Sequence, residues 1–177
     1  MHKWVSDTVA NKILQLLAEN AEDAVFLENI EKKEDTKSTL LINSFYFESL
    51  KARGMASIDT WTEHADIRKI ERIIFPIFQD SHWSLVVIYP KLKTCTVLDS
   101  LRPCHEAASA VLLQHSLIER VSYNCHCTQQ SNTNDCGIFM LYFAGCIARK
   151  KTAKIYLPVP AERFREAIYK HAEPRRE

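Results

Sequence analysis

Glycine and proline are scarce in this chain: three glycines and six prolines in 177 residues. So small a supply argues against long flexible linkers. An excess of charge of either sign is also lacking. The 23 Lys and Arg residues face 22 Asp and Glu, a formal charge of +1, so neither nucleic acid nor a membrane surface is called for as a partner. No hydrophobic run is long: the longest, Gly137 to Ala148, falls well short of the roughly 20 residues that cross a bilayer. The opening MHKWVSDTV lacks the charged-then-apolar pattern of a secretory signal. The six cysteines therefore read as reduced thiols rather than a disulfide framework, and a nuclear or cytoplasmic setting is expected. Internal repeats and low-complexity tracts are absent as well.

What is present suits one domain over 1–177 with a sizeable core, monomeric. Hydrophobic residues make up 46% and charged residues 25%, ordinary values for a globular chain. A first helix is predicted from Asp7 to Asn20, with Val9, Ile13, Leu16 and Leu17 on one face and Ser6 as its cap. A second runs from Ser44 to Arg53 and stops at Gly54. Three strands follow: RIIFPIF (Arg72 to Phe78), HWSLVVIY (His82 to Tyr89) and TCTVLD (Thr94 to Asp99). Their apolar character is continuous rather than alternating, which predicts burial on both faces. Helices are predicted over Glu106 to Leu117, Gly137 to Ala148 (buried) and Ala161 to His171 (surface). The polar EKKEDTKS (Glu31 to Ser38) reads as a loop or a solvated helix end. The fold class is α+β, a central sheet flanked by helices with a hairpin inside it.

That hairpin brings two chemically useful residues together. With the turn centred on Pro90 and Lys91, opposed residues have numbers summing to 181, as His82 and Asp99 do. Directly opposed residues share a face, with Cβ atoms ~5 Å apart. An imidazole and a carboxylate so placed can hydrogen-bond, which fixes the tautomer and stabilises the imidazolium. Cys136 stands where the polar run Gln129 to Asp135 turns into the most apolar helix, so the helix dipole favours its thiolate. Gln130, six residues upstream, can aim its amide at a developing oxyanion, with the Cys136 N–H as a second donor. Each feature alone has a blander account: a strand-end His beside a solvated Asp, or a buried structural Cys. Together they describe nucleophilic acyl transfer.

The stretches HWSLVVIY, TVLDSL and QQSNTNDCGIF resemble the catalytic core of the ubiquitin-like-protein-specific cysteine proteases, the SUMO (sentrin) proteases. That family's pattern is His-Trp, then Asp-Ser at the end of the next strand, then Gln, five residues and Asp-Cys-Gly. KWVSDTVANKIL and STLLINSFYFESLKARGMASIDTW resemble its more N-terminal segments, so the likeness runs from about Trp4 to Ile147. It implies a papain-like α+β fold with a central mixed sheet, in the order His, Asp, Cys rather than the Cys-first order of papain itself. By the same resemblance His82 is the general base, Asp99 its orienting acid, Cys136 the nucleophile and Gln130 the oxyanion donor. Trp4 and Trp83 are implied as aromatic walls of a channel for a Gly-Gly tail, which admits a backbone without Cβ atoms. Asp7 is implied as a contact to the ubiquitin-like partner; a first-turn Asp serving the helix dipole is the plainer account. Val5 and Ser6 stand where Leu and Asn are usual, and Asn134 where an aromatic is common.

The implied activity is a thiol protease and isopeptidase that removes a ubiquitin-like modifier from lysines of target proteins and trims its precursor. SUMO is favoured, with ubiquitin or NEDD8 as alternatives. An effector-type acetyltransferase with the same three residues, acting in a host cytosol, is a further alternative, but no basic patch or extra subdomain suggests an acetyl-CoA pocket. No cofactor and no metal are expected. CHC (Cys125 to Cys127), near Cys104 and His105, lacks the spacing of paired zinc ligands and reads as core thiols. His64, His115 and His171 are expected on the surface, Trp61 in the core, and RKKTAK (Arg149 to Lys154) as a solvated helix end.

Overall fold

The computed structural model describes residues 4–54, 63–101, 106–124, 127–149 and 160–172. Trp61, Cys104, His105, Cys125, His126 and the RKKTAK run beyond Arg149 lie outside them. The order of elements is α1 (Asp7–Glu19), β1 (Ala24–Phe26), β2 (Thr39–Leu41), α2 (Phe45–Arg53), β3 (Arg72–Gln79), β4 (His82–Tyr89), β5 (Thr94–Leu98), α3 (Glu106–Leu112), β6 (Arg120–Asn124), α4 (Cys136–Ala148) and α5 (Ala161–Ala172). The six strands form one sheet in chain order. β1, β2 and β3 are parallel, β3, β4 and β5 antiparallel, and β6 parallel to β5. This is the mixed, helix-flanked sheet of the expected α+β class.

Both faces of the sheet are covered, and the strands show it in alternate residues. Trp83, Leu85 and Val87 of β4 point into a core shared with α1, α4 and α5. Val86 and Ile88 point the other way, onto α2 and α3 through Tyr46, Phe47, Leu50, Ala108 and Leu112. Burial on two sides is why these strands read as unbroken apolar runs. α1 buries Ala10, Ile13, Leu14 and Ala18, a stripe at helical spacing, and the Ser6 hydroxyl accepts from the Val9 N–H at 3.4 Å. α4 is buried almost throughout. A helix that is apolar all round belongs inside the protein.

Three strands escaped the pattern reading. β1 and β2 are three residues long, too short to show a period, and pair only with distant partners. β6, with Val121 and Tyr123 packed inward, carries a weak alternating signal that could have revealed it. The helix predicted over Glu106 to Leu117 ends at Leu112, and the turn that follows carries His115 inward. Instead of lying on the surface, His115 is 1% exposed. Its Nδ1 accepts from the Leu117 N–H at 3.2 Å and its Nε2 lies 3.0 Å from the Tyr46 hydroxyl. With Nδ1 accepting, the proton sits on Nε2 and the Tyr46 oxygen accepts it.

Burial lowers the His115 pKa from 6.5 to about 4, so between these values the unfolded chain holds a proton that the folded one does not. Stability from this group is present above pH 6.5 and is lost as pH falls toward about 4, by up to ~3 kcal/mol. Urea titrations across that range should show the loss in the wild type. The slope should flatten in His115→Gln.

Candidate active site

A two-residue turn starts the site. Asp80 and Ser81 both have positive φ, 51° and 61°, and Gln79 pairs with His82 across them. This primed geometry matches the twist of an antiparallel pair and makes the shortest hairpin connection. It makes His82 the first residue of β4, at the open end of the sheet.

Asp99 comes from the neighbouring strand, in a register two residues away from the predicted one. Leu85 pairs with Leu98 and Tyr89 with Thr94, so paired numbers sum to 183 rather than 181. The cause is the turn. Pro90–Leu92 forms a single 3-10 turn and Lys93 adopts a left-handed conformation, giving a longer connection than a tight hairpin centred on Pro90 and Lys91. A shift of two preserves the face, and His82 meets Asp99 diagonally. His82 Nε2 donates to Asp99 Oδ1 at 2.7 Å, and the Leu101 N–H donates to the same oxygen at 2.8 Å. The Cys127 thiol and the Gln129 amide hold the Asp99 carbonyl at 3.1 and 2.9 Å. Cys127 is thus a core thiol serving the backbone of the site.

Cys136 opens α4, one residue earlier than predicted, and its side chain hydrogen-bonds to His82. With Nε2 on Asp99, the ring's other nitrogen is left for the thiol. The preceding turn is built by Asn132, whose Oδ1 accepts the N–H groups of Asn134 and Asp135 at 2.9 and 3.1 Å. Gln130 is clamped to the residue after Asp99: its N–H donates to the Ser100 carbonyl at 2.8 Å and its Oε1 accepts from the Ser100 hydroxyl at 2.7 Å. Its Nε2 donates to the Asn132 carbonyl. Because the amide oxygen is fixed, Nε2 has a defined direction and a second hydrogen to offer.

Burial opposes ionisation of both side chains, and their neighbours outweigh it. On His82, hydrogen bonds and negative charge from Asp99 and Cys136 raise the pKa from 6.5 to about 9. On Cys136, the hydrogen bond from His82, the Trp83 and Gly137 N–H groups and the imidazolium charge pull the thiol below its ordinary value. Each group thus favours the charged form of the other, the electrostatics of a thiolate–imidazolium pair.

The two tryptophans do not stand as a matched pair of walls. Trp4 is 45% exposed, whereas Trp83 is 1% exposed. Trp83 follows His82 on a strand, so it points to the opposite face. There its indole N–H donates to the Val5 carbonyl at 3.0 Å and its ring packs on Phe78. Gly137 completes this contact: a Cβ there would lie 2.6 Å from Val5 Cβ and 3.1 Å from Trp83 Cδ1. Val5, read as a departure from the family's Leu, is what packs against the helix start. Asp7 lies half-buried in the first turn of α1.

Residues 3–173 match the family described as the Ulp1 protease family, C-terminal catalytic domain. The chain belongs to the Ulp1 protease family. Sentrin-specific protease 2 of Pongo abelii is 28% identical over 166 residues, covering 85% of this chain and 26% of that protein. Ubiquitin-like-specific protease 1 of Saccharomyces cerevisiae is 29% identical over 153 residues, 78% of this chain and 22% of that protein. The chain thus spans about a quarter of the length of these Ulp1-family relatives. The fold is also similar to that of the C-terminal Ulp1 protease domain solved with Smt3, the yeast ortholog of SUMO: TM-score 0.75, 24% identity, 97% of this chain and 77% of that one.

Removing the Asp99 charge should lower the His82 pKa and make the Cys136 thiol harder to ionise. In Asp99→Asn, His82 should titrate about one to three units lower than the pH of about 9 expected for the wild type. An NMR pH series on labelled histidine reads this directly. A His82 titration unmoved by the substitution would mean that Asp99 does not hold the imidazolium.

Proposed function

We propose that this chain is the catalytic unit of a thiol protease that cleaves after the C-terminal Gly-Gly of a ubiquitin-like modifier, SUMO before ubiquitin or NEDD8. It frees the modifier from lysines of target proteins and trims its precursor, acting in the nucleus or cytoplasm without a cofactor. The observation that carries this reading is that one imidazole is hydrogen-bonded both to a buried carboxylate and to a thiol at a helix start. Membership of the Ulp1 family and the names of the relatives support the choice of modifier.

The chemistry follows from the geometry. The Cys136 thiolate attacks the terminal glycine carbonyl, and charge moves onto its oxygen. Gln130 Nε2, with the Cys136 N–H in the first turn of α4, stabilises that oxyanion. His82 passes its proton to the leaving lysine amine as the C–N bond breaks, leaving a thioester on the sulfur. Water, deprotonated by the now neutral His82, then attacks the thioester; the C–S bond breaks, the modifier leaves as its carboxylic acid, and the thiolate and imidazolium are restored. Asp99 keeps Nδ1 aimed at the reaction throughout. Trp4, an exposed ring next in the chain to Val5, covers the tail, and Asp7 contacts the body of the modifier.

Incubation with C-terminal electrophile derivatives of SUMO, ubiquitin and NEDD8 tests the assignment. SUMO should be captured covalently by the wild type and not by Cys136→Ala, and His82→Ala should be nearly as damaged because the two act as a unit. Capture of ubiquitin or NEDD8 alone would overturn the modifier, and capture by Cys136→Ala the nucleophile.

The aromatic pair separates by a second measurement. Trp83→Ala should cost ~3–5 kcal/mol of stability, as a core residue does. Trp4→Ala should leave the thermal midpoint nearly unchanged and lower kcat/KM for the modifier. Equal thermal losses would place Trp4 in the core too.

A further inference from the structure

Two side chains on one face of α5 reach the site from the far end of the chain. Tyr169 donates its hydroxyl proton to the Trp4 carbonyl at 2.7 Å. Arg165, one turn earlier, donates from Nη2 to the Asn134 carbonyl at 3.1 Å and forms an ion pair with Asp135. The Arg165 and Asp135 side chains are only 8% and 14% exposed. An exposed pair contributes little, but a buried charge left without its partner is strongly disfavoured.

Asp135 immediately precedes Cys136, and a carboxylate there opposes formation of a thiolate. It nonetheless has a structural task. Its Oδ2 accepts from the Asn132 amide at 2.9 Å, which completes the turn that presents the sulfur. The turn uses the carboxylate for its shape while the chemistry is hindered by its charge. Arg165, from another helix, is the cation paired with that carboxylate.

We propose that Arg165 is a positioning residue for the nucleophile: it pins the turn at Asn134 and Asp135 and cancels the carboxylate charge beside Cys136. The proposal rests on Cys136 being the nucleophile, yet its observable is the thiol's own ionisation, which needs no modifier. His82 of β4 meets this thiol directly, with Asp99 behind it; Asp135 precedes it in the chain, Arg165 of α5 pairs with Asp135, Tyr169 of α5 bonds the Trp4 carbonyl, and Asp7 lies on the first turn of α1.

The test is the pH dependence of Cys136 alkylation by iodoacetamide in the full chain, with Cys136→Ala subtracting the other thiols. Arg165→Gln should raise the midpoint by about half a unit, about threefold less thiolate below it. Asp135→Asn should move the midpoint the opposite way, and the double variant should return near the wild type. Arg165→Lys, which keeps the charge, should hold the midpoint. Damage to the turn alone would shift Arg165→Gln and Asp135→Asn in the same direction, and that result overturns the proposal, as does an unmoved midpoint in folded Arg165→Gln. Should Arg165→Gln not fold, Asp135→Asn decides: a lowered midpoint supports the proposal, and an unchanged or raised one overturns it. Modifier cleavage is read separately. Opposed midpoint shifts with no modifier captured would sink only the substrate assignment.

Discussion

The 2.7 Å hydrogen bond from His82 to Asp99 is the contact around which the site is arranged. Asp99 is 2% exposed and His82 8%, and a carboxylate so buried is tolerable only with strong donors around it. The Leu101 N–H and the imidazole supply them on one oxygen, while neighbouring groups tie down the backbone of Asp99. Held in this way, the carboxylate favours the charged form of His82 despite burial, and His82 in turn lowers the pKa of Cys136. The ionisation of Cys136 depends on a chain of interactions that begins in the sheet.

Three elements converge on that chain of contacts, each for its own reason. β4 delivers the histidine because a two-residue turn leaves no slack before it. β5 delivers the carboxylate from just past its last paired residue, where the backbone is free of ladder bonds and can accept side-chain donors instead. α4 delivers the sulfur at its N-terminus, where N–H groups lack helical acceptors. Because α4 is buried nearly throughout, it has no freedom to slide, and Gly137 is the point where it comes closest to Val5 and Trp83.

The aromatic residues divide by what lies behind them. Trp83 ties the first segment of the chain to the helix start through the Val5 carbonyl, so its contribution is to the rigidity of that junction. Trp4, on the other side of Val5, keeps its ring in solvent while Tyr169 anchors its backbone. An exposed ring on a fixed backbone is suited to closing over a partner without a large ordering cost.

Much of this was legible in the residues. The long helices, the three central strands and the chemistry of His82, Asp99, Cys136 and Gln130 all follow from local pattern and residue type, because hydrophobic period and functional group are properties of short stretches. The face shared by His82 and Asp99 was legible too, since alternation survives a register shift of two. The register itself was not, because it depended on a four-residue turn whose conformation is settled by the strands it joins. β1 and β2 were hidden because three-residue strands have no period and exist only through distant partners. His115 was misplaced because the end of α3 is set by packing against Tyr46, and Trp83 because burial depends on what covers a face. The pairing of Arg165 with Asp135 joins residues that no local pattern connects. Residue chemistry can be read one stretch at a time, but the closeness of distant groups is decided only when the sheet and helices pack.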